Sequence, residues 1–291
     1  MSPRLDARRP LARTLILSMI VLVSLGGCAM FKKKDSGKNE GLPVETLYER
    51  GHKQMMSGNY GSAEETFRRL IAQYPYGDYA EQSLIETAYA QYKSGKNDDA
   101  VSTIDRFLRT YPTNRHVPYM YYLRGLSNQA RNTVFMQRVF NLDMASRDMA
   151  APMQAYDDFG IVAERFANSR YAADARQRMV YLRNQFARHE LNIAVYYLRR
   201  SAWVAAAERA TYILETYPQS EYQNDAVAVL AETYTRLGNE TLAADAKRVL
   251  VTNDPQHPWL SGGWPKDSSV LHRINPFARE RVPGSAAVRK D

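Results

Sequence analysis

Apolar residues recur at positions i, i+3, i+4 and i+7 through most of the chain between about residues 44 and 255. The segments that carry this pattern are rich in Ala, Leu, Glu and Arg. Such spacing places the apolar side chains on one face of an α-helix, and no part of this region alternates apolar and polar residues as a half-buried β-strand does. The pattern therefore predicts an all-α fold.

Similar turn sequences divide the helical region at regular intervals. Residues 74–79, 166–171 and 217–222 align with one another, and a variant begins at Tyr111 and Pro112. Proline and the turn residues around it do not continue a helix. Each of these sequences is therefore predicted to end one helix and to let the next begin.

The length of the repeat identifies the kind of unit. Pro75 and Pro112 are 37 residues apart, and so are Pro218 and Pro255. Each interval holds two helical segments joined by a short turn, and helix-turn-helix units of about 34 residues are typical of tetratricopeptide repeats. We therefore predict a right-handed α-solenoid of about five such units over residues 44–255.

Small residues recur where the two helices of a unit have to approach closely. In the first unit these are Gly51 and Ala63, and Phe67 is the larger residue expected to fill the gap to the next unit. The turn within a unit often contains glycine, at Gly58, Gly95 and Gly238. The second helix of the last unit is expected to be the less buried end of the stack.

Two intervals depart from the regular pattern. In the third unit Gly125 and Ala155 are 30 residues apart, which predicts an insertion at about residues 131–150, between its two helices. In the fourth unit residues 171–199 contain neither Pro nor Gly, which predicts one helix of about 29 residues.

The N-terminus has the pattern of a bacterial export signal. Arginines precede an apolar stretch at residues 15–25, and Gly26 and Gly27 stand just before Cys28. This arrangement resembles the lipobox of lipoproteins, so residues 1–27 are predicted to be removed and Cys28 to carry N-acyl and S-diacylglycerol groups. Ala29 favours sorting to the outer membrane. An uncleaved membrane helix at residues 14–31, or an inert buried cysteine, is the alternative.

Composition sharpens this picture at the two ends. The chain has 291 residues, 45% of them hydrophobic, and a net charge of +8, which falls to +5 once residues 1–27 are removed. Polar residues 28–43 are predicted to be a flexible tether. Residues 256–291 are basic and lack periodicity, which predicts a disordered tail. Trp259 and Trp264 are unexpected in such a tail, so the alternative is a short motif that docks on the last repeat or on a partner.

Motifs of catalysis are absent from the sequence. It contains no GxGxxG, no Walker loop, no GxSxG and no paired-histidine metalloprotease motif, and its five histidines have no metal-ligand spacing. One cysteine excludes an intramolecular disulfide bond and a CxxC zinc site. We predict a protein that is not an enzyme, binds no metal or cofactor and, since its basic residues are interspersed with acids, binds no nucleic acid.

Two surfaces are candidates for binding other proteins. Repeat register places a set of aromatic residues along the concave side of the first three units, where they would suit an extended peptide. These residues are Tyr48, His52, Tyr89, Tyr92, Tyr119 and Tyr122. The alternative is that each tyrosine only fills space. Arg199 and Arg200 form the second surface, suited to a partner carboxylate, with a solvated helix end as the alternative. Trp203 is expected to belong to the core.

Several stretches together resemble the BamD/ComL family. They are the lipobox, the repeats, the turn at residues 74–79, and residues 104–109, 122–126 and 202–205. The resemblance implies a non-catalytic outer-membrane lipoprotein that faces the periplasm and belongs to the machinery that folds and inserts β-barrel proteins. Implied partners are the POTRA domain of BamA, other Bam lipoproteins and unfolded barrel substrates. Arg200 matches the family's contact to BamA. The alternative is a periplasmic repeat adaptor for cell-wall or division enzymes.

Overall fold

The computed structural model describes residues 41–131 and 149–264. Within these ranges the chain forms ten α-helices and one short 3-10 helix at Pro258–Ser261, and no residue is in a β-strand. The helices are α1 Val44–Met56, α2 Tyr60–Gln73, α3 Asp78–Lys93, α4 Asn97–Thr110, α5 Val117–Arg131, α6 Ala150–Arg165, α7 Ala172–Arg199, α8 Trp203–Thr216, α9 Gln223–Arg236 and α10 Glu240–Asn253.

The helices pack in the order in which they occur in the chain. From α2 to α10 each helix contacts the next one, and α3 also contacts α5, as α7 contacts α9. The pairs α1/α2, α3/α4, α5/α6, α7/α8 and α9/α10 are therefore five successive helix-turn-helix units. The predicted all-α stack of about five repeats is confirmed. Among the described residues, 48–131 and 149–264 belong to one compact unit, and residues 41–47 belong to a separate one.

The turn inside a unit depends on one residue in the left-handed region. Gly58, Gly95 and Gly238 have φ angles of 77°, 79° and 73°, as the sequence predicted for turns, and Ser201 has a φ of 60° in the fourth unit. In that unit the N–H of Ala202 donates to the carbonyl of Tyr197 at 3.0 Å. This bond closes the last helical turn, so Ser201 takes a conformation that glycine adopts at lower cost.

Glycines allow the close approach of paired helices in the first and third units. A Cβ added to Gly51 would lie 2.7 Å from the ring of Phe67, and one added to Gly125 would lie 2.7 Å from the ring of Phe159. Both phenylalanines are fully buried. The predicted close approach at Gly51 is thus observed. Phe67 shares an apolar cluster with Ala90 of the next unit, as expected, but its ring also lies against Gly51 of its own unit, and the third unit repeats this contact.

Arg124 joins three helices through a partly buried ion cluster. Its guanidinium donates to Asp105 of α4 at 2.6 Å and to Asp158 of α6 at 2.6 and 2.9 Å, while Asn128 donates to the other oxygen of Asp158 at 3.0 Å. Burial raises the pKa of Asp158 even though Arg124 and Asn128 oppose that effect. The cluster connects the second unit to both helices of the third.

A second polar cluster connects the first two units. The carboxylate of Glu64, on α2, accepts hydrogen bonds from Lys96 at 2.7 Å and from Gln91 at 3.0 Å. Burial alone would raise the pKa of Glu64, but these two hydrogen bonds and the charge of Lys96 outweigh it and hold the pKa below its ordinary value. The side chain of Glu64 is 5% exposed, and the guanidinium of Arg68 lies 3.9 Å from its carboxylate, so this ionised group depends on Lys96, Gln91 and Arg68 for its stabilisation.

The two irregular intervals have the predicted boundaries. Helix α7 runs without interruption for 28 residues, as expected from the absence of Pro and Gly. Helix α5 ends at Arg131 and α6 begins at Ala150, on either side of the predicted insertion. Residues 132–148 themselves lie outside the described ranges. Only Leu250 of α10 is buried, which agrees with its place at the end of the stack.

Residues 257–264 differ from the predicted disorder. The ring of His257 is fully buried with its Nε2 atom 3.3 Å from Asp225, the indole N–H of Trp259 donates to Glu232 at 3.0 Å, and Trp264 is buried. This segment therefore packs on α9, as the alternative of a docking motif proposed. The segment is held by a few individual side chains and not by a periodic apolar face, so its sequence carries no helical pattern. Residues 265–291 lie outside the described ranges.

The predicted signal, the tether up to residue 40 and Cys28 also lie outside the described ranges. Among the helices at residues 41–131 and 149–264, none combines the length and the apolar character needed to cross a membrane.

Candidate functional site

The six predicted groove residues lie on the first helices of the first three units. Helix α1 carries Tyr48 and His52, α3 carries Tyr89 and Tyr92, and α5 carries Tyr119 and Tyr122. The five tyrosines are partly buried and His52 is exposed. We call these six residues the aromatic surface.

Tyr48 and Tyr122 have equivalent surroundings in the first and third units. The ring of Tyr48 lies 5.9 Å from that of Phe67 and 5.4 Å from that of Tyr79. The ring of Tyr122 lies 5.9 Å from that of Phe159 and 5.1 Å from that of Tyr171. Each tyrosine therefore packs on a core phenylalanine and on the last tyrosine of the following turn, so it contributes to the packing of the repeat as well as to the surface.

Glu86 lies beside the N-terminal end of the aromatic surface. The rings of Tyr48 and His52 stack at 6.0 Å, and the Nδ1 atom of His52 lies 3.8 Å from a carboxylate oxygen of Glu86. Burial, and then the charge of Glu86, raise the pKa of Tyr48, so its hydroxyl stays protonated. This end offers aromatic faces next to a carboxylate that can accept a peptide N–H.

Two arginines border the other end of the aromatic surface. The ring of Tyr171 lies 5.4 Å from that of Tyr119, and the guanidinium of Arg170 lies 4.9 Å from the centre of the Tyr171 ring. Arg178 lies 5.9 Å from the centre of the Tyr122 ring. Such contacts between arginines and ring faces are favourable cation–π interactions.

Asp174 fixes the orientation of the groups at this end. The Tyr122 hydroxyl and the Nε of Arg178 both donate to one Asp174 oxygen at 2.5 Å. Burial alone would raise the pKa of Asp174, but these hydrogen bonds outweigh it and hold the pKa below its ordinary value. Burial also acts on Tyr119, at the same end of the aromatic surface, and raises the pKa of its hydroxyl. The phenols are therefore neutral donors, and Asp174 is a charged acceptor, at neutral pH.

Tyr89 and Tyr92 lie between the two ends. Tyr89 meets the ring of Tyr60 edge-on at 6.4 Å, and both Tyr89 and Tyr92 pack against the apolar cluster that contains Ile104 and Phe107. Together the rings present apolar area with polar edges, which suits aromatic and aliphatic side chains of a bound peptide.

Sequence reasoning missed several polar and aromatic neighbours of the aromatic surface. These are Glu86, Arg170, Tyr171, Asp174 and Arg178. The alignment of the turns at residues 74–79 and 166–171 was a signal for Tyr171, because it makes Tyr171 equivalent to Tyr79. The other four carry no sequence signal that distinguishes them from solvated helix residues.

The two predicted partner arginines lie at the end of α7. Arg199 is its last residue and Arg200 follows it in the turn, and both are exposed. The guanidinium of Arg200 lies 4.7 Å from the centre of the ring of Tyr196, which is itself 50% exposed. Trp203 packs against the core but remains partly exposed, so it is not wholly interior as expected.

No group of three or more metal-ligating side chains suited to holding an ion occurs within residues 41–131 and 149–264.

Comparison with known proteins relates the chain to one family. The sequence model of a family described as an outer membrane lipoprotein, YfiO, matches residues 41–250. The outer membrane protein assembly factor BamD of Xylella fastidiosa strain 9a5c is 57% identical over 274 residues, which cover 94% of this chain and 92% of that protein. BamD of Neisseria meningitidis serogroup A is 36% identical over 257 residues, with coverage of 88% and 96%. BamD of Vibrio cholerae O1 is 35% identical over 215 residues, with coverage of 73% and 88%.

Proposed function

This chain belongs to the family of outer membrane lipoproteins that contains BamD, and from that membership we propose that its repeats hold unfolded β-barrel substrates beside the subunit that inserts them. It is an outer membrane protein assembly factor and not an enzyme. The substrate proposal rests on one observation: the first helices of three successive units all carry partly exposed aromatic rings.

The lipid anchor is proposed to be Cys28. It is the one cysteine of the chain, and it follows Gly26 and Gly27 at the end of an apolar stretch. Several acyl chains would retain the protein on a membrane far more firmly than one chain does. Intact-mass measurement of the protein extracted from membranes tests this. A chain that begins at Met1 with a free thiol would refute it.

The aromatic surface is proposed to bind the C-terminal signals of unfolded barrel substrates. The aromatic residues at the end of such a signal would pack on Tyr89, Tyr119 and Tyr122, while Glu86 and Asp174 accept backbone N–H groups. The hydroxyl of Tyr122 is already bonded to Asp174, so the ring is held in place before a peptide arrives.

Peptide binding by the purified protein tests this surface. Fluorescence polarisation would follow a labelled peptide taken from the C-terminus of a barrel protein. The double substitution Tyr89→Ala with Tyr122→Ala should weaken binding at least about tenfold, and Tyr76→Ala should not change it, since Tyr76 is 89% exposed in a turn. Unfolding of the double variant, or unchanged affinity, would favour the space-filling role instead.

Arg199 and Arg200 are proposed to contact a POTRA domain of the barrel subunit BamA. Other Bam lipoproteins are proposed to be partners of the protein in the same complex. The guanidinium of Arg200 lies over the ring of Tyr196 and the residue is exposed, so it can take a carboxylate through two hydrogen bonds. Arg200→Glu should abolish most co-purification of BamA from detergent-extracted membranes. Arg106→Glu is the matched control, because Arg106 is an exposed arginine on a different helix.

Depletion of the protein separates this function from the role of a cell-wall or division adaptor. Loss of outer-membrane barrels with accumulation of their unfolded precursors is the expected result. A wall or septation defect with normal barrel levels would exclude the proposed function.

A further inference from the structure

The aromatic surface has charges of opposite sign at its two ends. Beside Tyr48 lies Glu86, whose side chain is only 13% exposed. Beside Tyr119 the neighbouring turn brings Arg170, whose guanidinium lies over the ring of Tyr171. Burial has the largest effect on the pKa of the Tyr119 hydroxyl and raises it, and of the two charges Glu86 raises it further while Arg170 lowers it. Tyr119 therefore lies between a negative end and a positive end.

Of the two arginines at the positive end, Arg178 is already matched by an acid. Its Nε atom donates to Asp174, and its Nη1 atom donates to the side-chain carbonyl of Gln129 at 3.1 Å. Arg170 is exposed and donates to the neutral hydroxyl of Tyr171 at 2.7 Å. In the part of the chain that the structure describes, Arg170 forms no ion pair with a carboxylate. The uncompensated positive charge of this end therefore belongs to Arg170.

The hydroxyl of Tyr171 provides a second donor beside this guanidinium. Because its oxygen accepts the hydrogen bond from Arg170, its own proton can be donated to another acceptor. The ring of Tyr171 lies 5.4 Å from that of Tyr119 and 5.1 Å from that of Tyr122. A guanidinium and a hydroxyl thus lie together at the edge of the aromatic rings, which suits the two oxygens of a carboxylate.

A C-terminal aromatic residue carries both of the groups that this end can bind. Its side chain and its α-carboxylate branch from the same Cα atom, so a ring packed on Tyr119 and Tyr122 leaves the carboxylate near the edge of the surface. An aromatic residue inside a chain has a neutral peptide group in the same position. At the opposite end the carboxylate would meet Glu86, and the juxtaposition of like charges is unfavourable. The charges therefore favour one orientation of the bound peptide.

We propose that Arg170, together with the Tyr171 hydroxyl, binds the terminal α-carboxylate of an unfolded barrel substrate, and that the peptide runs from there towards the first unit. The proposal deepens the function proposed for the aromatic surface and rests on it. The first helices α1, α3 and α5 are neighbours, and packed helices lie about 8–10 Å apart, so a path across them is about 20 Å long. About six extended residues cover that distance.

Amidation of the peptide tests the carboxylate directly. Fluorescence polarisation compares two peptides that bind to the purified full chain: the C-terminal segment of a barrel protein, labelled at its N-terminus, and the same segment ending in an amide. We expect amidation to weaken binding at least about fivefold. Equal affinities would overturn the proposal and leave the function proposed for the aromatic surface standing, whereas no binding of either peptide would refute both.

Substitution of Arg170 identifies the group that binds the carboxylate. Arg170→Gln should weaken binding of the free-acid peptide by the same factor as amidation and leave binding of the amidated peptide unchanged, because both changes remove one interaction. Unchanged binding of the amidated peptide also shows that the variant is folded. Arg170→Lys keeps the charge but loses the planar fork, so its effect should be smaller.

Arg165→Gln is the matched control for Arg170→Gln. Arg165 is exposed at the start of the same turn, and its guanidinium lies 5.9 Å from the centre of the Phe166 ring, so the substitution removes the same charge from a similar setting. The control should bind both peptides as the wild type does. An equal loss for the free-acid peptide in the control, or equal losses for both peptides in Arg170→Gln, would overturn the proposal.

Photo-crosslinking determines the orientation of the bound peptide. One peptide carries a photoreactive group at its last residue but one, another carries it about six residues from the end, and both keep the free carboxylate. Digestion and mass spectrometry should place the first adduct within residues 166–178 and the second on α1 or α3. The reverse assignment would overturn the proposal.

Discussion

The ring of Phe159 lies where the Cβ of any larger residue at position 125 would project, at a separation of only 2.7 Å. Phe159 is fully buried, with the ring of Tyr122 at 5.9 Å and the guanidinium of Arg178 at 5.8 Å, so it has little room to move. The distance between α5 and α6 is therefore set by a phenyl ring against a bare helix backbone. The same relationship holds between Gly51 and Phe67 in the first unit.

Gly125→Ala should destabilise the protein. The added methyl group forces the buried ring of Phe159 aside, and such overpacking costs about 1–3 kcal/mol, more than the gain in helix propensity of about 0.5–1 kcal/mol. Urea unfolding followed by circular dichroism measures the change. Gly160→Ala is the matched control on α6, because its Cβ would meet only Met179, at 3.6 Å. The control should be neutral or slightly stabilising, and equal losses in both variants would contradict the packing argument.

Arg124→Met should lower the free energy of unfolding by about 3 kcal/mol. The substitution keeps much of the side-chain volume but leaves the buried carboxylate of Asp158 without its main partner. Adding Asp158→Leu to the same chain should restore much of the loss, since it removes the unpaired charge. Chemical denaturation of the two variants checks this, and a double variant no more stable than Arg124→Met would refute the assignment.

Glu64→Gln should flatten the acid dependence of stability. The folded protein holds the pKa of Glu64 below its ordinary value, so its ionised carboxylate stabilises the fold fully above about pH 4.5 and loses that effect as the pH falls through the folded-state pKa. The wild type should therefore lose stability more steeply than the variant as the pH falls below about 4.5.

Urea midpoints measured across that range provide the test for Glu64. Glu65→Gln is the matched control, because the neighbouring Glu65 is 66% exposed and pairs with Arg69 of its own helix. Exposed pairs of this kind contribute little. Parallel curves for the wild type and Glu64→Gln would show that the buried carboxylate does not contribute in this way.

Ser201→Gly should stabilise the turn between α7 and α8. Ser201 has a φ of 60°, and a left-handed conformation costs a residue with a side chain about 1 kcal/mol relative to glycine. An increase in melting temperature of about 2–4 °C is expected for a gain of that size. The reverse substitution at the equivalent turn, Gly238→Ala, should lower the melting temperature. Its Cβ would contact nothing within 4 Å, so only the backbone conformation is affected.

The repeat architecture could be predicted because it depends on local signals. Helical periodicity, the prolines of the turns and glycines such as Gly58 and Gly95 each act over a few residues, so the helix pairs and the long α7 followed from the sequence. Residues 257–264 did not follow. Their order depends on pairs such as Trp259 with Glu232, separated by 27 residues, and no local pattern encodes such a bond.

The candidate surface was predictable only to the level of a helix face. Register placed Tyr48 and Tyr122 on first helices, and the structure agrees. It could not reveal that Tyr122 bonds Asp174, 52 residues away, or that each ring packs on a core phenylalanine. Those contacts depend on how successive units dock, which repeat spacing does not specify.

Helix α7 fixes the distance between the two surfaces proposed to bind other proteins. Its 28 residues span about 42 Å, with Asp174 at the start, bonded to Tyr122, and Arg199 at the end. A peptide bound at the aromatic surface would need about a dozen residues in extended form to reach Arg199. For the proposed substrate and BamA contacts, the length of one uninterrupted helix therefore sets the shortest segment of unfolded barrel that extends from one surface to the subunit at the other.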